Sequence, residues 1–243
     1  KQWGIRQKQT GADRLSVGGA IAANIHGRGL DMAPFIADVV SFELVDCRGQ
    51  LQHCSRQHNA ELFRLVVGGY GLFGIVVTAT LQLVPRQQVV REVELCSLAE
   101  MIKAVPQRIN AGYLYGDFQF ETSPDSSAFL RHGVFSCYRP VPASPIAPQQ
   151  LRLSKANWQQ LLYLAHTDKA AAFSRFSKFY LASNGQRYWS DSHQLSIYLD
   201  DYHLKLDQQL RRGCAGSEMI TELYLPVPAL EAFMADCAAD FRR

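Results

Sequence analysis

The chain contains no C-x-x-C pair, no Gly-Lys-Ser/Thr, no G-x-S-x-G and no H-E-x-x-H. Those absences remove the zinc-ribbon, thioredoxin, Walker-type, α/β-hydrolase and zincin readings. Charge is scarce as well. Only 19% of the 243 residues are charged, and 25 basic against 22 acidic side chains leave a net charge of +3. Lys and Arg are scattered rather than clustered, so no nucleic-acid partner is expected. No apolar run approaches the ~18 residues of a membrane-crossing helix. The longest candidate, around Ile75–Val84, is interrupted by Thr78, Thr80 and Gln82. The six cysteines, Cys47, Cys54, Cys96, Cys137, Cys214 and Cys237, are spread apart and read as reduced, mostly buried thiols of a cytoplasmic protein. Cys47 and Cys54 flank a hairpin turn, which leaves one disulfide open. Lys1 and Arg243 read as cuts through a larger protein.

What is present is a chain that is 47% hydrophobic, enough for a sizeable core. Residues 38–54 alternate around Arg48-Gly49 as a hairpin. Asn59 reads as the N-cap of a helix over Ala60–Val67. The β-branched run from Ile75 to Val84 reads as a strand stopped by Pro85. Rhythm changes after Arg86. Val89–Leu95 reads as a strand, and Ser97-Leu98-Ala99-Glu100 as a capping box opening a helix to Ile109 that Pro106 kinks or shortens. Tyr113–Glu121 and Ala128–Tyr138 read as antiparallel neighbours, and Pro140–Pro148 as a loop. Residues 155–183 have helical spacing, Met219–Leu225 reads as a strand, and Pro228 opens a helix over Ala229–Phe241. The class is α+β with an antiparallel sheet.

Two glycine clusters stand out. Ser16–Gly29 holds Gly18, Gly19, Gly27 and Gly29 together with Ser16, Ala20, Ala22, Ala23, Asn24 and His26. Glycine lacks a Cβ and permits φ > 0, so such a stretch suits a backbone lying against a ligand. Gly18–Ile25 reads as a short turn of helix whose first N–H groups suit phosphate oxygens. Close packing of a loop on a sheet is the alternative. The second cluster, Gly68–Gly74, contains Gly69-Tyr70-Gly71-Leu72-Phe73-Gly74, a literal G-x-G-x-x-G. The dinucleotide fingerprint must follow a strand and open a helix. Here a helix precedes and a β-branched strand follows, so a Rossmann site is rejected in favour of a helix-to-strand turn.

Other groupings carry less. His193 and His203 lie near Asp191, Asp200 and Asp201, but without ligand spacing they read as a solvated face. The aromatics from Tyr163 to Tyr180 read as core, not as a base-stacking platform.

The segment Ser16–Gly27, the hairpin, Asn59–Phe63 and Gly68–Val76 together resemble the FAD-binding domain of the vanillyl-alcohol-oxidase (PCMH) type. Among its members the chain is most similar to cytokinin dehydrogenases, sugar-lactone and alditol oxidases, and especially to decaprenylphosphoryl-ribose oxidase. The resemblance covers roughly residues 10–86. It implies that residues 1–86 are the C-terminal half of an FAD-binding domain and residues 87–243 part of an α+β cap. It implies FAD contacts from Ser16, Gly18, Gly19, Ala20, Asn24, Ile25, His26 and Gly27 along the flavin and pyrophosphate, and from Gly74, Ile75 and Val76 at the adenine end. The activity implied is oxidation of a small alcohol, sugar-like or amine substrate, with hydride passing to the flavin. His26 is a weak candidate for the base and a better one for cofactor positioning. Asp117, Gln119 and Tyr188 are candidate polar contacts from the cap. A domain that keeps the fold without flavin is the rival reading.

Overall fold

The structure, a computed structural model, describes residues 2–7, 15–192, 199, 201–211, 213–216 and 220–242. It divides into two compact units. The first comprises residues 1–89, 140–144 and 188–198; the second comprises 90–139, 145–187 and 199–243.

In the first unit Val39–Val45 (β2) pairs antiparallel with Leu51–Ser55 (β3) and with Ile75–Leu81 (β4), in the order β3-β2-β4. A two-residue strand, Trp3–Gly4 (β1), pairs with Val84–Pro85 (β5). The alternation in β2 turns Phe42 and Leu44 into the core, where both are essentially unexposed. Each such burial contributes about 2 kcal/mol. Helix α1 (Val17–Ala22) supplies Ala20 and Ile21 to that core, and α2 (Ala60–Val66) supplies Phe63 and Val66, three residues apart on one helical face. The Phe42 and Phe63 rings stack at 5.1 Å.

Two expectations change here, and a third, that Cys47 and Cys54 are reduced, holds. Asn59 stands at the α2 N-cap, but its φ is +48° and its side chain does not cap; Nδ2 instead donates to the His53 carbonyl at 2.8 Å. Pro85 does not stop β4. That strand ends at Leu81, where the Gln82 amide turns to the Asp38 carbonyl at 2.7 Å, and Pro85 sits in the two-residue pairing with Trp3. Cys47 and Cys54 are both free. Cys54 lies opposite Phe42 in the register while Cys47 lies beyond the last pair, Val45 with Leu51, so the two thiols do not face each other.

The second unit holds most of Gln88–Ser97 (β6), Tyr115–Phe120 (β7) and His132–Val141 (β8), in the order β7-β8-β6, and the chain returns to the first unit within a short strand, Arg187–Trp189 (β9). Strands β7 and β8 are antiparallel, as expected. The helices are α3 (Leu98–Asn110), α4 (Lys155–Thr167), α5 (Lys169–Ala182), α6 (Tyr202–Leu210) and α7 (Leu230–Asp240). The molecule is α+β, with antiparallel pairing in both units.

The Ser97/Glu100 capping box forms, but Pro106 does not end α3. The turn beyond Pro106 is held by the Ala111 amide on the Gln107 carbonyl and by Arg108, which ion-pairs with Glu92 and Glu94 at 3.0 Å each. Strand β8 begins at His132, because Ala128–Arg131 form a turn with Leu130 at φ +53°, and it runs through Pro140 to Val141. The long helical stretch is two helices, broken at Asp168, whose carboxylate caps α5 through the Ala171 amide. Residues 220–225 form no strand; among the described residues no neighbour completes a ladder with them, and Met219 lies outside those residues. Pro228 falls within a 3-10 turn, Val227–Ala229, ahead of α7.

Glu92 is the hub of the polar network in this unit. It accepts from Arg108 at 3.0 Å, from Arg139 at 2.6 Å and from the Tyr113 hydroxyl. Burial pushes its carboxyl up, but the Tyr113 and Arg139 hydrogen bonds and the Arg139 and Arg108 charges outweigh that and hold it below its ordinary value. A carboxyl lowered in the folded state stabilises above its unfolded pKa, about 4.3, and that stabilisation is lost as pH falls through the folded value. Acidification from about pH 5 towards 3 is therefore expected to lower the melting temperature less steeply in Glu92→Gln than in the wild type. Parallel melting profiles for the two proteins contradict this role.

Among the described residues no helix is long and apolar enough to cross a membrane.

Candidate functional site

The two glycine clusters form one piece of structure. Ser16 caps α1, its hydroxyl accepting from the Gly19 amide at 3.0 Å while its carbonyl accepts from Ala20 at 2.9 Å. At the other end the last α1 carbonyls need donors. The second cluster provides them. The Gly68 amide donates to the Ile21 carbonyl at 3.1 Å, and the Tyr70 amide to the Ala22 carbonyl at 2.9 Å.

From there the chain turns from α2 into β4 through Gly68 (φ +74°), Tyr70 (+50°), Gly71 (+80°) and Gly74 (+141°). A helix thus precedes the G-x-G-x-x-G and a strand follows it, the reverse of a Rossmann unit. The turn leaves a rim of exposed apolar side chains, with Tyr70 80%, Leu72 84% and Ile75 71% accessible.

A cleft of about 220 Å3 opens between the two clusters. Its walls are Ser16, Gly18, Gly19 and Ala22 on one side and Val66, Gly71, Phe73, Gly74, Ile75 and Val76 on the other. Six of the residues expected from the sequence therefore meet there: Ser16, Gly18, Gly19, Gly74, Ile75 and Val76. The other five do not line it. Ala20 is buried in the core. Asn24 has φ +44° and accepts from the Ile36 amide at 3.4 Å. Ile25 packs against the core and bonds through its backbone to Ala20 and Phe35. His26 Nδ1 lies 2.9 Å from the Gly27 carbonyl, and since a carbonyl only accepts, Nδ1 is the protonated nitrogen in that contact. His26 and Gly27 are both half-buried.

Several glycines have reasons of their own. A Cβ on Gly18 would lie 3.3 Å from the Val76 carbonyl oxygen, and one on Gly74 would lie 2.4 Å from that of Val45. Both let α1 and the turn sit close to the sheet. Gly71 differs: a Cβ there would meet nothing within 4 Å. No lining residue carries a charge, so the cleft offers peptide edges, one hydroxyl and apolar walls. That donor set fits a flat, neutral ring better than it fits phosphates. Sequence reasoning missed Ala22, Val66, Gly71 and Phe73. The last two lay within the quoted motif, but only the fold shows which of its side chains turn into the cleft.

The remaining candidates disperse. Asp191 accepts from Arg86 at 2.8 Å, and among the described residues no group of three or more His, Cys, Asp or Glu is placed to hold a metal; His193 and Asp200 lie outside those residues. Gln119 donates to Asp117 at 3.3 Å, and Tyr188 is half-buried in the first unit. Burial pushes the Cys137 thiol up to about 12, with Arg108 working against it and Asp117, Glu94 and Glu92 reinforcing it; that thiol is unreactive.

No family model matches the chain. Cytokinin dehydrogenase 5 of Arabidopsis thaliana is 38% identical over 78 residues, which are 32% of this chain and 14% of that protein. Cytokinin dehydrogenase 3 of Oryza sativa subsp. japonica is 39% identical over 78 residues, covering 32% and 15%. An uncharacterized protein in mprA 5'region of Streptomyces coelicolor is 41% identical over 76 residues, covering 31% and 20%. The matched part of the chain thus spans a fifth or less of the length of these relatives. The resemblance drawn from the two glycine clusters is borne out at that level: about a third of this chain is similar to cytokinin dehydrogenases.

Proposed function

We propose that this chain is part of an FAD-dependent oxidoreductase and supplies one wall of its cofactor site. The observation that carries the reading is the cleft in which Ser16, Gly18 and Gly19 meet Gly74, Ile75 and Val76. The similarity to cytokinin dehydrogenases, oxidoreductases by name, supports it. In this reading residues 1–86 are half of the FAD-binding domain and residues 87–243 belong to a cap facing a small alcohol, sugar-like or amine substrate. FAD, when bound, supplies the acceptor for a hydride from a CH–OH or CH–NH carbon.

The chain's own contribution is binding and orientation. Peptide groups of Gly74, Ile75 and Val76 would hold the adenine end, and the α1 segment would hold the rest of the cofactor. His26 lies outside the cleft lining, so it is assigned no part as a base; its Nδ1 contact with the Gly27 carbonyl fixes the ring within the Ser16–Gly27 segment that positions the cofactor. The competing reading, a domain that keeps this fold without flavin, is favoured by one observation: Gly74 is required by packing whether or not a ligand binds.

Titration of FAD into the 243-residue chain, followed by flavin fluorescence, separates the two. Saturable quenching is expected. A flat titration at every concentration overturns the proposal and leaves the flavin-free domain.

A further inference from the structure

The geometry points to Phe73 as the aromatic platform on which the planar adenine end of the dinucleotide lies, an assignment that rests on the FAD reading above. Phe73 is the one aromatic side chain among the cleft's lining residues. Its neighbours Tyr70 and Leu72 are far more exposed and do not line the cleft, whereas Phe73 is 37% accessible.

The ring is held from behind. A Cβ on Gly69 would lie 2.9 and 3.1 Å from Phe73 Cδ2 and Cε2, so the ring rests on the bare backbone of Gly69. A ring backed in this way loses little conformational freedom when a ligand covers its open side. Gly18 and Gly19 line the same cleft and bring no side chain of their own into it. The space is about 220 Å3, below the ~300 Å3 at which pockets for whole drug-sized ligands begin, and so it suits one ring system and not a dinucleotide. The uncharged lining selects a neutral heterocycle over the pyrophosphate. Every nucleobase has a π face, and stacking on an aromatic side chain is a strong, sequence-tolerant contact.

The test uses the full 243-residue chain with three probes: FAD, AMP and FMN. AMP carries the adenine end alone, and FMN carries the flavin end without adenine. Phe73→Ala is expected to weaken FAD and AMP about tenfold each and to leave FMN unchanged. Phe73→Tyr keeps the ring and is expected to bind all three probes as the wild type does, and circular dichroism of both variants establishes that they fold. If Phe73→Ala binds FAD and AMP as tightly as the wild type, or weakens FMN equally, the platform is wrong while the FAD site stands. If the wild-type chain binds none of the three, both readings fall together.

Discussion

Gly74→Ala is expected to destabilise the β2–β4 pairing by about 4 kcal/mol, one of the two largest effects of a single substitution in this molecule. Two separate costs add. The first is conformational: Gly74 has φ +141°, a region that side-chain-bearing residues avoid at about 1–3 kcal/mol. The second is steric. The new methyl would sit 2.4 Å from the Val45 carbonyl oxygen and 2.9 Å from Leu44 Cγ. Val45 pairs with Ile75, and Leu44 is fully buried, so neither yields without opening the sheet or the core. Overpacking of that kind costs a further 1–3 kcal/mol or so. Hydrogen exchange of the β2 and β4 amides reads the result directly: a loss of about 4 kcal/mol removes roughly a thousandfold of their protection. Gly71→Ala is the control. Gly71 also has positive φ, but a methyl there meets nothing within 4 Å, so only the conformational cost remains. Equal loss of protection in the two variants would show that the clash with Val45 contributes nothing.

The same glycine shows where the sequence stops being legible. Gly68–Gly74 announces a turn, and the β-branched run after it announces a strand, both from local chemistry alone. That order sufficed to reject the Rossmann reading, and α2 followed by β4 bears the rejection out. What local chemistry does not carry is the identity of the atoms that crowd each missing Cβ. Those belong to Val45, Val76 and Leu44, which tertiary pairing alone brings near. The glycine content suggests backbone exposed for a ligand; at Gly18 and Gly74 the neighbour is the protein itself.

The misplaced elements have the same origin. Pro106 is unfavourable inside a helix, but ion pairs from Arg108 to β6 hold the turn beyond it. Asn59 is a good capping residue, but its amide is drawn to the His53 carbonyl six residues back. In each case a contact outside the helix itself outweighs a preference of about 1–3 kcal/mol. For the site, the residues legible in advance were those whose backbone defines the cleft. Phe73, whose side chain fills part of it, was visible in the motif without any sign of which way its ring would turn.

The second large effect is expected in the other unit, at Arg91. This guanidinium is 3% exposed and is sandwiched by aromatic rings, with Cζ 5.3 Å from the Tyr138 ring centre and 4.8 Å from that of Tyr180. Nε donates to the Tyr138 hydroxyl at 2.9 Å and Nη1 to the Ser183 hydroxyl at 2.8 Å. Ser183 in turn donates to the Tyr180 carbonyl at 2.7 Å, so one side chain ties β6 to β8 and to the end of α5. Arg91→Ala removes the packing of the long stem and leaves a void between two tyrosines. It also withdraws the donors from two buried hydroxyl oxygens. A truncation in a core costs about 2–5 kcal/mol, and each buried group left without its partner adds about 1 kcal/mol or more. A loss of about 4 kcal/mol in urea unfolding is therefore expected. Arg91→Lys keeps the charge but not the planar fork, and a point-like ammonium does not reproduce both donor directions or stack on both rings. It should recover less than half of the loss. Arg91→Met restores volume without charge and without donors, so it distinguishes the two contributions. If Met recovers nearly all the stability, packing between the tyrosines is what Arg91 supplies. If Met is as damaging as Ala, the hydrogen bonds to Tyr138 and Ser183 carry the effect. A cost below about 1 kcal/mol for Arg91→Ala would contradict both, because it would mean the sheet and α5 hold together without this side chain.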